Sequence, residues 1–589
     1  MKNFLKMTLA VVVGLILTGI LFFVIMLSVI SGIAAAGSKP AEIAEKSVLV
    51  LKTGTAIPDR TNSNPLSMIN PFSMKFTPEA GLNDILKNLS KAAKDDKISG
   101  VLIENDIMPS GWATADELRL ALKEFKQSGK FIYAYSDYVL MQESYFISTA
   151  ADAIWLNPTS MFDFKGLAAE VTFYKDALEK LGVEVQVIRH GKFKGAVEPY
   201  ILDKLSDENR FQISEYVGSI WEHAVKAISE SRGVPVERVM QLADSLSGYD
   251  AVLLTSAGLI DGTIYRDQLE DSIRSAAGIE EGKKINYVSM TKYSKVPQKH
   301  TGGLAKSKIA VVYAEGSIVM GEGDETNIGG NRYASELREV RLDTTIKAVV
   351  FRVNSRGGSA IASDMIWREV ELISKVKPVV VSMGNYAASG GYYISAAADK
   401  IFASPVTVTG SIGVFGLIPN AQTLLNKKLG ISSDVVKTNT HSDTPSLTRP
   451  LTAFEKNVLQ ANVERTYSSF TAVVAEGRGM TQANVDSIGQ GHVWSGADAA
   501  GVGLVDAFGG LNDAVKEAAS LAKLETYRLV ERPAEVDIYS RLLKQMSGEV
   551  REKIVARELG EAARYYYDLK EIISSKGVQA VMPWYIDIY

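Results

Sequence analysis

The stretch NYAASGGYYISAAADKI, from Asn385 to Ile401, places Ser389 directly before Gly390 and Gly391. It follows the apolar run PVVVSMG and opens an alanine-rich, helix-like run. A serine at a strand-to-helix turn sits where the helix dipole favours developing negative charge. The paired glycines let the backbone approach a substrate closely. The plain alternative is a helix N-cap, the commonest role of serine at such a position. A second glycine pair lies in VNSRGGSA (353–360), after the run AVVFRV. A tight glycine turn there can aim backbone N–H groups outward as an oxyanion site, or it is only a turn.

A serine hydroxyl needs a base to become a nucleophile. The five histidines, His190, His223, His300, His441 and His492, fall in no triad order around Ser389, and neither GxSxG nor HExxH occurs. The absence of cysteine excludes cysteine nucleophiles, disulfides and thiolate metal sites. A lysine is the remaining option, provided burial lowers its pKa from about 10.4 towards neutrality. HGKFKGAVEPY (190–200) offers Lys192 and Lys194 beside small residues.

These groups lie on a chain that is written twice. YFISTAADAIWLNP (145–158) aligns without a gap on YYISAAADKIFASP (392–405), a shift of 247 residues. SVLVLKTGTAI (47–57) pairs with KIAVVYAEGSI (308–318), ISGVLIEND (98–106) with IKAVVFRVN (346–354), and AGLIDG (257–262) with VGLVDA (502–507). The order is the same in both halves, so one domain is duplicated in tandem. IAVVYA, AVVFRV and PVVVSM read as buried strands, and SDMIWREVELISKV as a helix between two of them. Strand–helix–strand alternation predicts parallel βαβ units.

Taken as a set, MGNYAASGGYYIS, VNSRGGS, TGSIGVFG (409–416) and FKGAVEP (193–199) resemble the protease IV family of signal peptide peptidases in its long, two-repeat form. The resemblance covers the N-terminal segment and both repeats. It implies an α/β fold of tandem Clp protease/crotonase-like domains and a serine protease with a Ser-Lys dyad and no cofactor or metal. The family nucleophile falls on Ser389 and the general-base lysine on Lys194, with Lys192 a surface lysine. Ser411 matches the serine that orients the lysine. Backbone amides of Gly357 or Gly358, and of Gly390, match the oxyanion donors. The family usually reads N-S-P-G-G, whereas this chain has Arg356 in place of the proline. The duplication adds its own argument. The register puts Gln142 where Ser389 stands, and aligning LGVEVQVI (181–188) on LGISSDVV (429–436) puts Ser442 where Lys194 stands. Each half is incomplete, and one site at their junction would combine both.

The remaining features set the organisation. Lys2 and Lys6 precede an apolar run from Met7 to Ile30. At about 1.5 Å per residue it reaches about 36 Å, enough to span a bilayer. The lysines predict a cytoplasmic N-terminus, with a cleaved signal peptide as the alternative. The expected division is an anchor at 1–36, a first repeat at 46–278 and a linker at 279–306. A second repeat at 307–524 and a helical extension at 525–589 follow. The segment 58–74 reads as a connector or a substrate-side loop. A net charge of −4 without a basic patch gives nucleic-acid binding no support. The resemblance implies a bacterial inner-membrane protein with its active part on the periplasmic side. It also implies four chains forming a bowl, and signal peptides and other apolar peptides as substrates. Two rival readings stand beside it: a non-catalytic membrane scaffold, and an acyl-CoA enzyme of the crotonase type.

Overall fold

The computed structural model describes residues 40–62, 80–105, 108, 110–297, 305–324, 326–534, 578–582 and 587–588, with a few positions before residue 22. The first repeat contains β1 (Ser47–Lys52), α1 (Leu82–Ala93), β2 (Ile98–Asn105), α2 (Trp112–Lys126), β3 (Phe131–Ser136), α3 (Gln142–Ser148) and β4 (Ala153–Leu156). An arm then leaves this unit as β5 (Glu184–Arg189) and the long α4 (Asp207–Arg232). The strands β6 (Gly262–Thr263) and β7 (Tyr287–Ser289) return to complete a parallel sheet of order β7-β1-β2-β3-β4-β6.

The second repeat follows the same plan. It contains β8 (Lys308–Glu315), β9 (Ser317–Val319), β10 (Asn327–Gly329), α5 (Gly330–Leu342), β11 (Ile346–Ser355), β12 (Gly357–Ser359) and α6 (Ala360–Ser374). Next come β13 (Val379–Ala388), α7 (Gly390–Ser395), β14 (Lys400–Ala403), β15 (Val408–Gly410), β16 (Phe415–Asn420) and α8 (Ala453–Arg478). Then follow β17 (Val493–Ser495), β18 (Ala507–Phe508), α9 (Leu511–Leu521), β19 (Arg528–Arg532) and β20 (Gln579–Val581). The main sheet has the order β17-β15-β13-β11-β8-β19, with β14 joining β13 to β18. Parallel strands covered on both faces need continuous apolar runs. In β11, Ala348, Val349, Val350, Phe351 and Val353 are all fully buried. On α6, Ile366, Val370 and Ile373 recur at helical spacing and are fully buried beside them.

The duplication is visible bond by bond. Tyr145 donates to the Leu259 carbonyl at 2.8 Å, and Tyr392 to the Leu504 carbonyl at 2.9 Å. Asp152 accepts from the Ile132 amide and Asp399 from the Val379 amide, each at 2.7 Å. Asp261 and Asp506 accept from Ile154 and Ile401, each at 2.8 Å.

A third sheet, β10-β9-β12-β20-β16-β5, joins the repeats. It pairs β5 of the first repeat with β16 of the second, antiparallel, Arg189 facing Phe415 and Glu184 facing Asn420. A second link is ionic. Arg352, on β11 and 1% exposed at its side chain, pairs with Asp59 at 2.7 Å and Glu117 at 3.0 Å, both from the first repeat. Asp59 lies in the segment read from sequence as a connector or loop; its buried carboxylate is a clamp. A third link is a cap. Helix α2 has no cap of its own, and Asn385 Oδ1 accepts from the Ala113 and Thr114 amides at 3.0 and 3.1 Å.

Two expectations fall largely outside the described residues. The run 7–30 is one, and among the described residues no helix is long and apolar enough to cross a membrane. The helical extension is the other. Its described parts are strands: β19, β20 and the pair Asp587–Ile588.

Burial pushes the Glu117 carboxyl up, and the Arg352 guanidinium opposes that push. Removing one partner of a buried ion pair typically costs about 3–5 kcal/mol. Arg352→Ala is therefore expected to lose about that much stability in urea unfolding. A carboxyl raised in the folded state stabilises it at low pH and loses that effect as pH rises. The loss should therefore be smaller at pH 5 than at pH 8. A variant as stable as the parent at both pH values would refute the clamp.

Candidate active site

The nucleophile candidate is held in an uncommon backbone state. Strand β13 runs straight into Ser389, which has φ 55° and ψ −114° and starts α7. Its amide donates to the Gly410 carbonyl at 2.8 Å, and its carbonyl accepts from Tyr393 at 2.9 Å. Residues other than glycine rarely hold positive φ, and the cost is of order 1–3 kcal/mol. Ser411 shows the same feature, with φ 49°, and its amide donates to the His492 carbonyl at 2.6 Å.

The lysine reaches this serine from the other repeat. After β5, the chain turns at Gly191, φ 94°, where any Cβ would collide with the Gln490 carbonyl. The Phe193 amide donates to that same carbonyl at 3.0 Å. Gln212 of α4 then bridges the parts: its Nε2 donates to the Phe193 carbonyl, and its Oε1 accepts from the Val493 amide, each at 2.9 Å. Gly491 leaves no room for a side chain, since a Cβ there would lie 2.6 Å from the Lys194 nitrogen. The fit delivers Lys194 Nζ to 2.9 Å from Ser389 Oγ, 3.0 Å from Ser411 Oγ and 3.1 Å from the Ser411 carbonyl.

Lys194, Ser389 and Ser411 are all fully buried. Burial, with no compensating charge, holds the Lys194 amine well below its ordinary value. Lys194 Nζ donates to the Ser411 carbonyl and hydroxyl oxygens and to Ser389 Oγ, and the Ser389 hydroxyl donates to the Gly413 carbonyl at 3.4 Å. Lys192 is exposed and lies over the Phe193 ring at 4.9 Å. His441 pairs with Glu455 at 3.0 Å. His492 packs against Phe193 and Trp494, and burial lowers its pKa to about 4.

The glycine turns meet beside Ser389. Gly357 has φ 97°, and a Cβ on it would lie 2.6 Å from the Gly390 nitrogen. The Gly357 amide donates to Ser355 Oγ at 3.1 Å, which leaves Gly358 and Gly390 as the better oxyanion candidates. Arg356, in place of the family proline, lays its guanidinium 4.3 Å from the Tyr386 ring centre and props the turn from its side. In the first repeat Gln142 fills the corresponding place and donates to the Gly166 carbonyl at 2.7 Å. Ser442, opposite Lys194 in the repeat alignment, is exposed in a loop. The sequence reading brought Ser389, Lys194, Ser411 and the glycines into view. It missed Gln212, which carries no motif, and the capping role of Asn385, which stands inside the quoted MGNYAASGGYYIS.

The family model for peptidase family S49 matches residues 124–280 and again 371–525, one match in each repeat. The chain belongs to peptidase family S49. It is 35% identical to Protease 4 of Salmonella typhi over 556 residues, covering 90% of this chain and 88% of that protein. It is 33% identical to Protease 4 of Haemophilus influenzae over 514 residues, 85% of this chain and 83% of that one. The chloroplastic serine protease SPPA of Arabidopsis thaliana is 33% identical over 469 residues, 78% of this chain and 68% of that one. Among solved structures, a ClpP1 variant from Listeria monocytogenes is similar at 17% identity over 35% of this chain and 94% of that one, with a TM-score of 0.24. This S49 chain is a serine protease of mixed α/β architecture with two family domains.

The buried lysine makes a stability prediction. Above pH about 10.4 both folded and unfolded chains hold Lys194 neutral. As pH falls the unfolded chain takes the proton first, so Lys194 subtracts stability until pH passes its lowered folded pKa. In Lys194→Met this loss is absent. Relative to the parent, the variant should gain up to about 1.4 kcal/mol per pH unit between pH 10 and its folded pKa. Unfolding curves at pH 7, 8.5 and 10 check this, and a pH-independent difference would show that the amine stays charged.

Proposed function

We propose that Ser389 is the nucleophile and Lys194 the general base of a peptidase that cuts apolar peptides at a membrane. The observation that carries this reading is the 2.9 Å approach of Lys194 Nζ to Ser389 Oγ across the two repeats. Neutral Lys194 takes the Ser389 proton as Oγ attacks the peptide carbonyl. The amides of Gly358 and Gly390 receive the oxyanion, next to the N-terminus of α7. The ammonium of Lys194 then gives its proton to the leaving amine, and the acylated Ser389 holds the N-terminal half of the peptide. Lys194, neutral again, draws a proton from water as its oxygen attacks the ester, and then gives that proton to the departing Ser389 Oγ, releasing the N-terminal half as an acid. Ser411 holds the amine in line throughout, with both of its oxygens.

Signal peptides left in the bilayer after cleavage are the substrates that this reading favours. The run Met7 to Ile30 anchors the chain beside them, with the peptidase part on the periplasmic side of a bacterial inner membrane. Four copies surround a common cavity in this reading. The scaffold alternative has to account for a serine, a lysine and a second serine brought together in a buried cluster without charge compensation. A lysine-for-base site also gives an acyl-CoA enzyme no evident use for its neutral amine.

Hydrolysis of a fluorogenic apolar peptide tests the assignment. Ser389→Ala and Lys194→Ala should each lower kcat/KM by about 10⁴- to 10⁶-fold, and the double variant no further, because the two act as a unit. Activity of the parent should rise with pH to a plateau, with an inflection well below the ordinary lysine value. Retention of most activity by Ser389→Ala would end the nucleophile assignment.

A further inference from the structure

The strand slot next to Ser389 is filled by the chain's own C-terminal segment. Strand β20 lies between β12 and β16 in the sheet that joins the repeats. It runs antiparallel to β12, with Gly357 opposite Val581, Gly358 opposite Ala580 and Ser359 opposite Gln579. It meets β16 where Gln579 faces Phe415. Two further bonds bracket this register. The Met582 amide donates to the Arg356 carbonyl at 2.7 Å, and the Ala360 amide to the Val578 carbonyl at 3.4 Å. Residues 578–582 are thus held through their backbone, as a peptide strand added to a sheet is held.

The register brings Ala580 to the chemistry. A Cβ on Gly357 would lie 2.1 Å from the Ala580 carbonyl oxygen, and one on Gly390 3.0 Å from the same oxygen. That carbonyl therefore sits where the two glycine turns meet. Val581 packs with Ala196, Val197 and Phe415, immediately beyond Lys194. Ala580 is fully buried and Met582 nearly so. Meanwhile Ser389 and Lys194 have no exposed surface, so a peptide reaches them only after something covering them has moved. The stretch VQAVM suits that position: it is uncharged, and the residue at the glycine turns is small.

We propose that the slot between β12 and β16 binds an extended apolar peptide, and that residues 578–582 occupy it as a tethered pseudosubstrate that keeps the site closed until displaced. This builds on the reading of Ser389 as the nucleophile. A segment of the same chain binds intramolecularly, without the concentration cost that a free peptide pays. Weak backbone pairing is then enough to keep the tail seated, while a peptide concentrated at the same place can exchange with it.

The test measures binding without turnover. Three proteins carry Ser389→Ala: the full chain, a chain ending at Gly577, and a full chain with Met582→Pro, which lacks the N–H that bonds Arg356. The probe is a fluorescein-labelled amide of the peptide KGVQAVM, followed by anisotropy. The chain ending at Gly577 should bind it at least about ten-fold more tightly than the full chain, with Met582→Pro in between. Equal affinity in all three, or no binding to the shortened chain while it remains folded, overturns the proposal. If the shortened chain fails to fold, Met582→Pro decides: affinity no better than the full chain overturns it. A fluorophosphonate assay on chains with Ser389 restored separates the two readings. Faster labelling of the shortened chain supports both. No labelling in either chain, with the difference in peptide affinity retained, refutes the nucleophile and leaves the tethered strand standing.

Discussion

An amine with no exposed surface and no facing carboxylate is the constraint on which this site depends. Lys194 is surrounded by serine oxygens and glycine backbone, and burial is what depresses its pKa. A carboxylate in reach would stabilise the ammonium and raise that pKa again. The nearest acid in sequence, Glu198, is turned elsewhere, accepting from the Ser206 amide at 3.1 Å and lying 3.9 Å from Arg189. Close packing does the excluding. Gly191, Gly413 and Gly491 let second-repeat backbone press on the lysine and its turn, and a side chain at any of them would collide or crowd. The amine is left with no exposed surface, and that burial is what depresses its pKa.

Such an amine has to be brought from a distance without leaving a gap. The duplicated fold supplies the means: two copies with the same internal bonds, pinned to each other at several places, three of which lie on strands near the site. The β5–β16 ladder carries the arm that ends in Lys194. The Asn385 cap fastens β13, four residues before Ser389, to α2 of the other repeat. The Arg352 clamp fixes β11 just before the glycine turn. Each link lands on a strand that leads into the site. In this way the alignment of the repeats and the alignment of the candidate dyad are one mechanical problem.

Much of this was legible in the chain. β-branched runs marked the buried parallel strands, because a strand covered on both faces has no polar face to show. The glycine pairs marked the turns, because positive φ and close approach both exclude a side chain. Lys194 was visible only through its motif, since burial of a lysine leaves no local pattern. Asp59, Gln212 and β20 were not legible at all. Their partners are Arg352, Val493 and Gly357–Ser359, hundreds of residues away. A pairing at that separation leaves no periodicity in either segment, and a short apolar stretch near the terminus reads equally well as helix or strand.

The backbone differs between the two copies at the candidate site. Ser389 and Ser411 both hold positive φ, at 55° and 49°. At the shift of 247 residues their counterparts are Gln142 and Phe164, and neither has positive φ. Fold alone therefore does not require the strain, because the first copy builds the same strands and the same short helix without it. Glycine would relieve the strain in the second copy at either position, but glycine carries no hydroxyl. Two strained serines, each facing the same buried amine, are what remains when the hydroxyl is worth more than the relaxed turn. At these two aligned positions the strain is present in the copy that the lysine reaches and absent in the other, which ties the backbone cost there to the site and not to the architecture.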